Sequence, residues 1–169
     1  MFKNITKEVF GENIFGIGTG ASPCKVETTE FFLNLGLEWS NLYATTETSV
    51  PITATGIKDK YPVDTVGNVN HHPEISVKIN NPASSGIGEI VVKSELMMKG
   101  YFRSDDLTEE TFDNGYFKTG DLGYIDKKGY LHITGRIKES IILENGKKVS
   151  PQDVDDYYLS IITEYDFAS

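Results

Sequence analysis

The sequence has a single cysteine, Cys24, in 169 residues. That excludes an internal disulfide and a cysteine-built metal site, and nothing signals an oxidising exterior, so the cytoplasm is the expected location. Positive charge is also scarce. Sixteen Lys and Arg against 25 Asp and Glu leave a net charge of −9, so no basic stripe is available for counterion-release binding and nucleic acid is not an expected partner. No run approaches the ~18 apolar residues of a membrane span, and the opening MFKNITKEVF lacks the apolar core of a secretory signal. The three histidines, His71, His72 and His132, support no metal set or Ser-His-Asp triad at their spacing, and His132 alternates with apolar neighbours as a structural residue would. Finally, Gly16-Ile-Gly18-Thr-Gly20-Ala21 lacks both the G-x-G-x-x-G spacing and a following Gly-Lys-Ser/Thr, so an independent phosphate loop is not expected.

What is present suits a folded chain: 38% apolar, 11% aromatic and 24% charged residues, enough for one domain and a small appendage. Asn13 to Thr19 reads as a buried strand, Lys25 to Leu35 as a helix using Val26, Phe31 or Phe32 and Leu35 and stopped by Gly36, and Leu37 to Tyr43 as a second strand. From Val66 onward the texture becomes short strands between turns, at 75–79, 88–92, 122–125 and 130–133, which suggests a small antiparallel barrel or sandwich. A helix over Leu107–Phe112 interrupts it, with Asp106 and Glu109 at capping-box spacing. A strand at Ser140–Leu143, a turn at Asn145-Gly146 and a helix from Pro151 to about Ile161 complete the pattern. That last helix is amphipathic with nothing after it to cover its apolar face, so the expectation is a piece of a longer protein.

Three segments carry chemistry-capable groups. Tyr43-Ala-Thr-Thr46-Glu47 sets an aromatic, several hydroxyls and a carboxylate at a strand end, offering a surface for a base, donors for phosphate and an oxygen ligand for Mg²⁺. Gly115-Tyr-Phe-Lys-Thr-Gly120-Asp121 puts a carboxylate beside glycine, suited to sugar hydroxyls or to capping a turn. Gly135-Arg136-Ile-Lys138-Glu139 adds charges at a strand end. Singly, each is equally an ordinary polar turn.

Together, in this order, with Gly20-Ala21-Ser22, Gly88-Glu89, Gly100-Tyr101-Phe102, Gly129-Tyr130-Leu131 and Asn145-Gly146-Lys147 to Pro151, they resemble the middle and hinge region of the adenylate-forming (AMP-binding) superfamily. The similarity runs from about Asn13 to Tyr158 and is closest to long-chain fatty-acid–CoA ligases, the acyl-CoA synthetases. The resemblance implies a two-step reaction: a fatty acid carboxylate attacks the α-phosphate of ATP to give acyl-AMP and pyrophosphate, and the thiol of coenzyme A then displaces AMP. It implies that Gly20, Ala21 and Ser22 line the adenine slot, Tyr43 stacks on adenine, Thr46 bonds the phosphate, Glu47 ligates Mg²⁺, and Asp121 with Arg136 holds the ribose. Lys138 would be the interdomain hinge, and Gly146 would approach the pantetheine channel in the thioester step.

The expected fold is therefore α+β: residues 1–137 form the end of a large domain dominated by a small antiparallel β-barrel or sandwich, and 138–169 the hinge and start of a small α/β domain. The family's Ser/Thr/Gly-rich phosphate loop and its C-terminal catalytic lysine are absent, so the chain is expected to be inactive alone and to need the remainder of the enzyme in cis. Ala44 stands where the family has glycine, which is tolerated if φ there is negative. The polar stretch Asn68 to Glu74 departs from the family pattern. Two alternatives remain open: an adenylation domain that loads a carrier protein, and a non-catalytic split or degenerate module that acts as a binding surface.

Overall fold

The computed structural model describes residues 2–14, 16–22, 24–56, 60–70, 72–139, 141–142, 148–149, 154, 157–158 and 161. It opens with a helix the sequence pattern did not announce, α1 (Phe2–Phe10), followed by β1 (Ile17–Thr19), α2 (Val26–Asn34) and β2 (Trp39–Tyr43). Strands β1 and β2 pair in parallel, with Ile17 opposite Trp39 and Thr19 opposite Asn41, so α2 is the crossover a parallel pair requires. The end of α2 is fixed by its own backbone. Gly36 takes φ +79°, and the N–H groups of Gly36 and Leu37 return to the carbonyls of Leu33 and Phe32 at 2.9 and 3.2 Å, a Schellman closure that favours glycine at that position. Of the expected apolar face, Phe32 docks: its ring stacks on Trp39 at 4.9 Å and meets Phe10 edge-on at 6.3 Å. Phe31 instead stays exposed. Trp39, the sole tryptophan, is buried and donates from Nε1 to Asn41 at 2.9 Å.

After a single 3-10 turn at Thr46–Thr48, the short β3 (Thr53–Ala54) adds antiparallel to β2. The second sheet follows: β4 (Ser76–Asn80), β5 (Gly88–Lys93) and β7 (Tyr116–Ile125) lie side by side. The far edge of β7 is shared by β6 (Phe112–Asp113) over its first residues and β8 (Leu131–Arg136) over its last. Register shifts between Glu89 and Val91 and between Leu122 and Gly123 curl this sheet. At the second shift a Cβ on Gly123 would lie 2.4 Å from the His132 carbonyl oxygen, so only glycine lets the two strands approach there. The architecture is mixed α+β, with an open, curled antiparallel sheet in place of a closed barrel.

Seven buried residues, Tyr43, Ile52, Ile75, Val77, Ile90, Val92 and Leu131, form the core between the two sheets. The segment 65–69 stitches them together. On one side Asn41 Nδ2 donates to the Thr65 carbonyl at 3.1 Å and Thr53 Oγ1 to that of Val66 at 2.8 Å. On the other, Val66 and Leu131 exchange backbone bonds with the 131 and 67 carbonyls at 3.0 and 2.9 Å. His132 is structural, as its alternation suggested: it is buried, stacked on Tyr124 at 4.6 Å, with Nδ1 3.2 Å from Asp64.

Several expectations shift. Strand β7 begins at Tyr116, well before Leu122. The interrupting helix, α3 (Asp105–Thr111), starts earlier than expected, with Ser104 at the N-cap and no side-chain cap bond. Asp106 therefore lies inside the first turn, where with Asp105 it faces the positive end of the helix dipole instead of capping it. Phe112 has already entered β6. Further on, β9 (Ile141–Ile142) pairs antiparallel with β10 (Lys148–Val149). The turn expected at Asn145-Gly146 lies outside the described residues. So does most of the helix expected from Pro151, of which Val154, Tyr157, Tyr158 and Ile161 are helical.

Candidate functional site

The C-terminal ends of the parallel strands β1 and β2 emerge side by side, the place where open sheets collect ligands. Gly20 follows β1, and a Cβ there would come within 3.3 Å of Leu42, so glycine lets the segment lie against β2. Ala21 then takes a left-handed φ of +66°, and both Ala21 and Ser22 are exposed. Ala44 is not among the residues with positive φ, so alanine is accommodated there without strain.

Tyr43, the last residue of β2, is 7% exposed. Its hydroxyl donates to Asp121 Oδ2 at 2.6 Å. Burial, and then the neighbouring Asp121 charge, hold the phenol far above its ordinary pKa, so it remains a donor. Asp121 sits on β7 opposite Arg136 on β8, and Arg136 Nε donates to Asp121 Oδ1 at 2.7 Å. Each carboxylate oxygen thus has its own donor, one buried and neutral, the other charged and facing solvent. The Asp121 carboxylate raises the guanidinium pKa above its ordinary value. From behind, Thr119 Oγ1 accepts the Asp121 N–H at 3.1 Å and donates to the Ile90 carbonyl at 2.8 Å.

The peptide groups around Gly120 are held from two directions. Its N–H donates to Glu89 Oε1 at 3.2 Å, and its carbonyl accepts from Ile137 N–H at 2.8 Å. A φ of +74° at Gly120 makes that geometry accessible. Lys138, next along, is exposed.

The 3-10 turn carries the remaining groups. Thr45 and Thr48 close it reciprocally: Thr48 N–H donates to Thr45 Oγ1 at 3.3 Å and Thr45 N–H to Thr48 Oγ1 at 3.2 Å. Ser49 ends it in the left-handed region at φ +62°. Thr46, exposed, makes no side-chain hydrogen bond among the described residues. The Glu47 carbonyl accepts Met98 N–H at 2.8 Å, and its Oε1 accepts the Tyr101 hydroxyl at 2.9 Å.

Among the described residues, no group of three His, Cys, Asp or Glu side chains could hold a metal. A lone carboxylate beside a hydroxyl nonetheless fits Mg²⁺, which is commonly held by one or two carboxylates together with substrate phosphates. The structure thus joins Tyr43, Asp121 and Arg136 directly and brings Thr46 and Glu47 next to Tyr43 along the chain. Gly146 falls outside the described residues. Two partners went unassigned in the sequence, Glu89 and Tyr101. Each lay in a noted Gly-Glu or Gly-Tyr pair, but the groups they hold are 31 and 54 residues away.

Residues 6–102 match the family model described as "AMP-binding enzyme", a span that includes Gly20 to Ser22, Tyr43, Thr46 and Glu47. The chain is 35% identical over 157 residues to the Xenopus laevis long-chain-fatty-acid–CoA ligase ACSBG2, covering 92% of this chain and 21% of that protein. It spans about a fifth of the length of such relatives. Among solved structures it is similar to the o-succinylbenzoate CoA synthetase MenE of Bacillus subtilis. Against the complex with the acyl-adenylate intermediate OSB-AMP the TM-score is 0.77 at 28% identity, over 94% of this chain and 34% of that one. Against the complex with ATP and magnesium ion it is 0.73 at 30% identity, over 85% and 31%. With more than half of its length in the family model and its fold shared with these synthetases, the chain belongs to the AMP-binding enzyme family.

Proposed function

We propose that the chain supplies the nucleotide-clamping part of an ATP-dependent ligase that activates a long-chain fatty acid as acyl-AMP and transfers it to coenzyme A. The observation that carries this reading is Asp121. A buried carboxylate with Tyr43 on one oxygen and Arg136 on the other is fixed in place, and lone pairs remain on both oxygens to accept ribose hydroxyls. Such a group positions a nucleotide without reorganising, the condition for in-line attack on its α-phosphate.

In this reading the Tyr43 ring stacks on adenine beside the backbone of Gly20 to Ser22, and Asp121 with Arg136 holds the ribose. The Thr46 hydroxyl donates to the α-phosphate, and Glu47 would hold Mg²⁺ together with the phosphates. Magnesium bound there would neutralise charge on the phosphates as the acyl carboxylate attacks. Residues 1–137 belong to the large domain and 138–169 begin the small one. Just past the end of β8, Ile137 N–H still bonds the Gly120 carbonyl, so Lys138 is the first residue beyond that tie and the one to act as a hinge, with Gly146 reaching the thioester site after rotation. The names of relatives support fatty acid and coenzyme A as the substrates.

The test is substrate-resolved. The intact ligase should exchange pyrophosphate into ATP with long-chain fatty acids and form thioesters with coenzyme A, while the isolated chain does neither. Exchange by the isolated chain, or acyl transfer to a carrier protein but not to coenzyme A, would overturn the assignment.

A further inference from the structure

The pair Gly100-Tyr101 has no role in the assignments above, yet the structure gives both residues a definite task. Gly100 allows close packing: a Cβ there would sit 2.8 Å from Thr108 Cγ2 on α3. With the glycine in place, Tyr101 N–H reaches Thr108 Oγ1 at 2.9 Å, and that hydroxyl donates to the Ser104 carbonyl at 3.0 Å. The Tyr101 backbone is thereby seated on α3, and its phenol crosses to Glu47 Oε1 at 2.9 Å.

Two features argue that this bond orients the carboxylate and is not simply a tie between loops. The backbones are already tied, because Met98 N–H donates to the Glu47 carbonyl at 2.8 Å. The phenol also reaches only one carboxylate oxygen, while Oε2 has no hydrogen-bond partner among the described residues. A carboxylate held by one oxygen presents the other in a fixed direction, which is how an outer hydrogen bond tunes a hard-cation ligand.

We propose that Tyr101 is a positioning residue for Glu47: its hydroxyl fixes Oε1 so that Oε2 is presented to a divalent cation bound with ATP phosphates. This deepens the function proposed above and rests on Glu47 being the cation ligand.

The experiment compares Tyr101→Phe, Glu47→Gln and the unaltered intact ligase. Mn²⁺ serves as probe in the presence of ATP, read by the electron paramagnetic resonance signal of the free ion. AMP affinity without metal and Tm are measured in parallel. Tyr101→Phe should weaken Mn²⁺ binding by about 10-fold, with AMP affinity and Tm unchanged, and Glu47→Gln should weaken it at least as much. If Glu47→Gln weakens the metal and Tyr101→Phe does not, the positioning role is wrong and the Glu47 assignment stands. Should neither variant alter Mn²⁺ binding, the Glu47 assignment fails, and the positioning role with it. Parallel loss of metal, AMP affinity and Tm in Tyr101→Phe would make the bond structural and overturn the proposal.

Discussion

Tyr43 and Asp121 lie 78 residues apart in sequence and 2.6 Å apart at their oxygens. That bond joins the three-stranded sheet, through the end of β2, to the centre of β7 in the five-stranded one. A core residue and a candidate ligand-holding residue are therefore the same contact, and changes to either will show in both stability and nucleotide use.

Tyr43→Phe removes one hydroxyl from a buried ring and leaves Asp121 Oδ2 without its donor. Unpairing a buried acceptor costs about 1–3 kcal/mol, so the chain should unfold at lower urea with an unchanged m-value. A midpoint equal to that of the parent chain would mean water replaces the phenol at no cost.

The same tyrosine predicts an alkaline signature. Its folded pKa lies above the unfolded value near 10, so the folded state keeps the phenolic proton longer than the unfolded chain does. The stability it contributes is complete below about pH 10 and falls as pH rises from there toward the folded pKa. Urea midpoints from pH 8 to 11 should therefore drop less steeply in Tyr43→Phe than in the parent chain. Superimposable slopes would contradict the direction assigned.

Asp121→Asn preserves shape and removes charge. Hydrogen bonds to a charged group contribute about 1.5–3 kcal/mol, so the intact ligase should lose about one to two orders of magnitude in kcat/KM for ATP. Affinity for coenzyme A, measured on the acyl-adenylate-loaded enzyme, should be unaffected. Unchanged ATP kinetics would reduce Asp121 to a structural partner of Arg136.

Gly67→Ala should lower stability severely. A Cβ at Gly67 would lie 2.3 Å from the carbonyl carbon and oxygen of Ala54, at a φ of +118°. Backbone overlap and left-handed strain each cost about 1–3 kcal/mol, and together they fall on the segment that joins the two sheets. Circular dichroism and urea titration of the variant read the outcome directly; a folded variant with the parent midpoint would show that the segment can move aside.

Lys138→Pro tests the hinge. Lys138 N–H makes no backbone hydrogen bond among the described residues, so proline removes none while fixing φ near −65°. In the intact ligase, pyrophosphate release should survive and thioester formation should fall by orders of magnitude, with Lys138→Ala near normal. Equal loss of both steps, or loss that follows Tm, would rule the hinge out.

The sequence disclosed some of this well and some hardly at all. Strands with apolar inward positions, such as Val77, Ile90 and Val92, were legible from alternation, and Gly36 marked the end of α2. Strand β7 was not legible over its first half, because its inward positions after Phe117 are Thr119, Asp121 and Gly123. Polar groups occupy the buried face where the candidate site sits, so hydrophobic periodicity fades where function is concentrated. Segment 65–69 gave no signal either, since it acts through backbone bonds to two sheets. The motif series made Asp121 and Arg136 visible as candidates, but not the Tyr43 bond to Asp121. Nor did it reveal the tasks of Glu89 and Tyr101, which depend on contacts no local pattern encodes.

The stacking of Phe32 on Trp39 makes the molecule its own optical gauge. Because Trp39 is the only indole in the chain and lies under α2, its emission reports one event, the seating of that helix beside the strand ends where Gly20 and Tyr43 emerge. Selective excitation near 295 nm then follows the docking of the crossover without a dye or label. A red shift under mild urea that precedes the loss of far-ultraviolet dichroism would identify the β1–α2–β2 unit as the part that opens first.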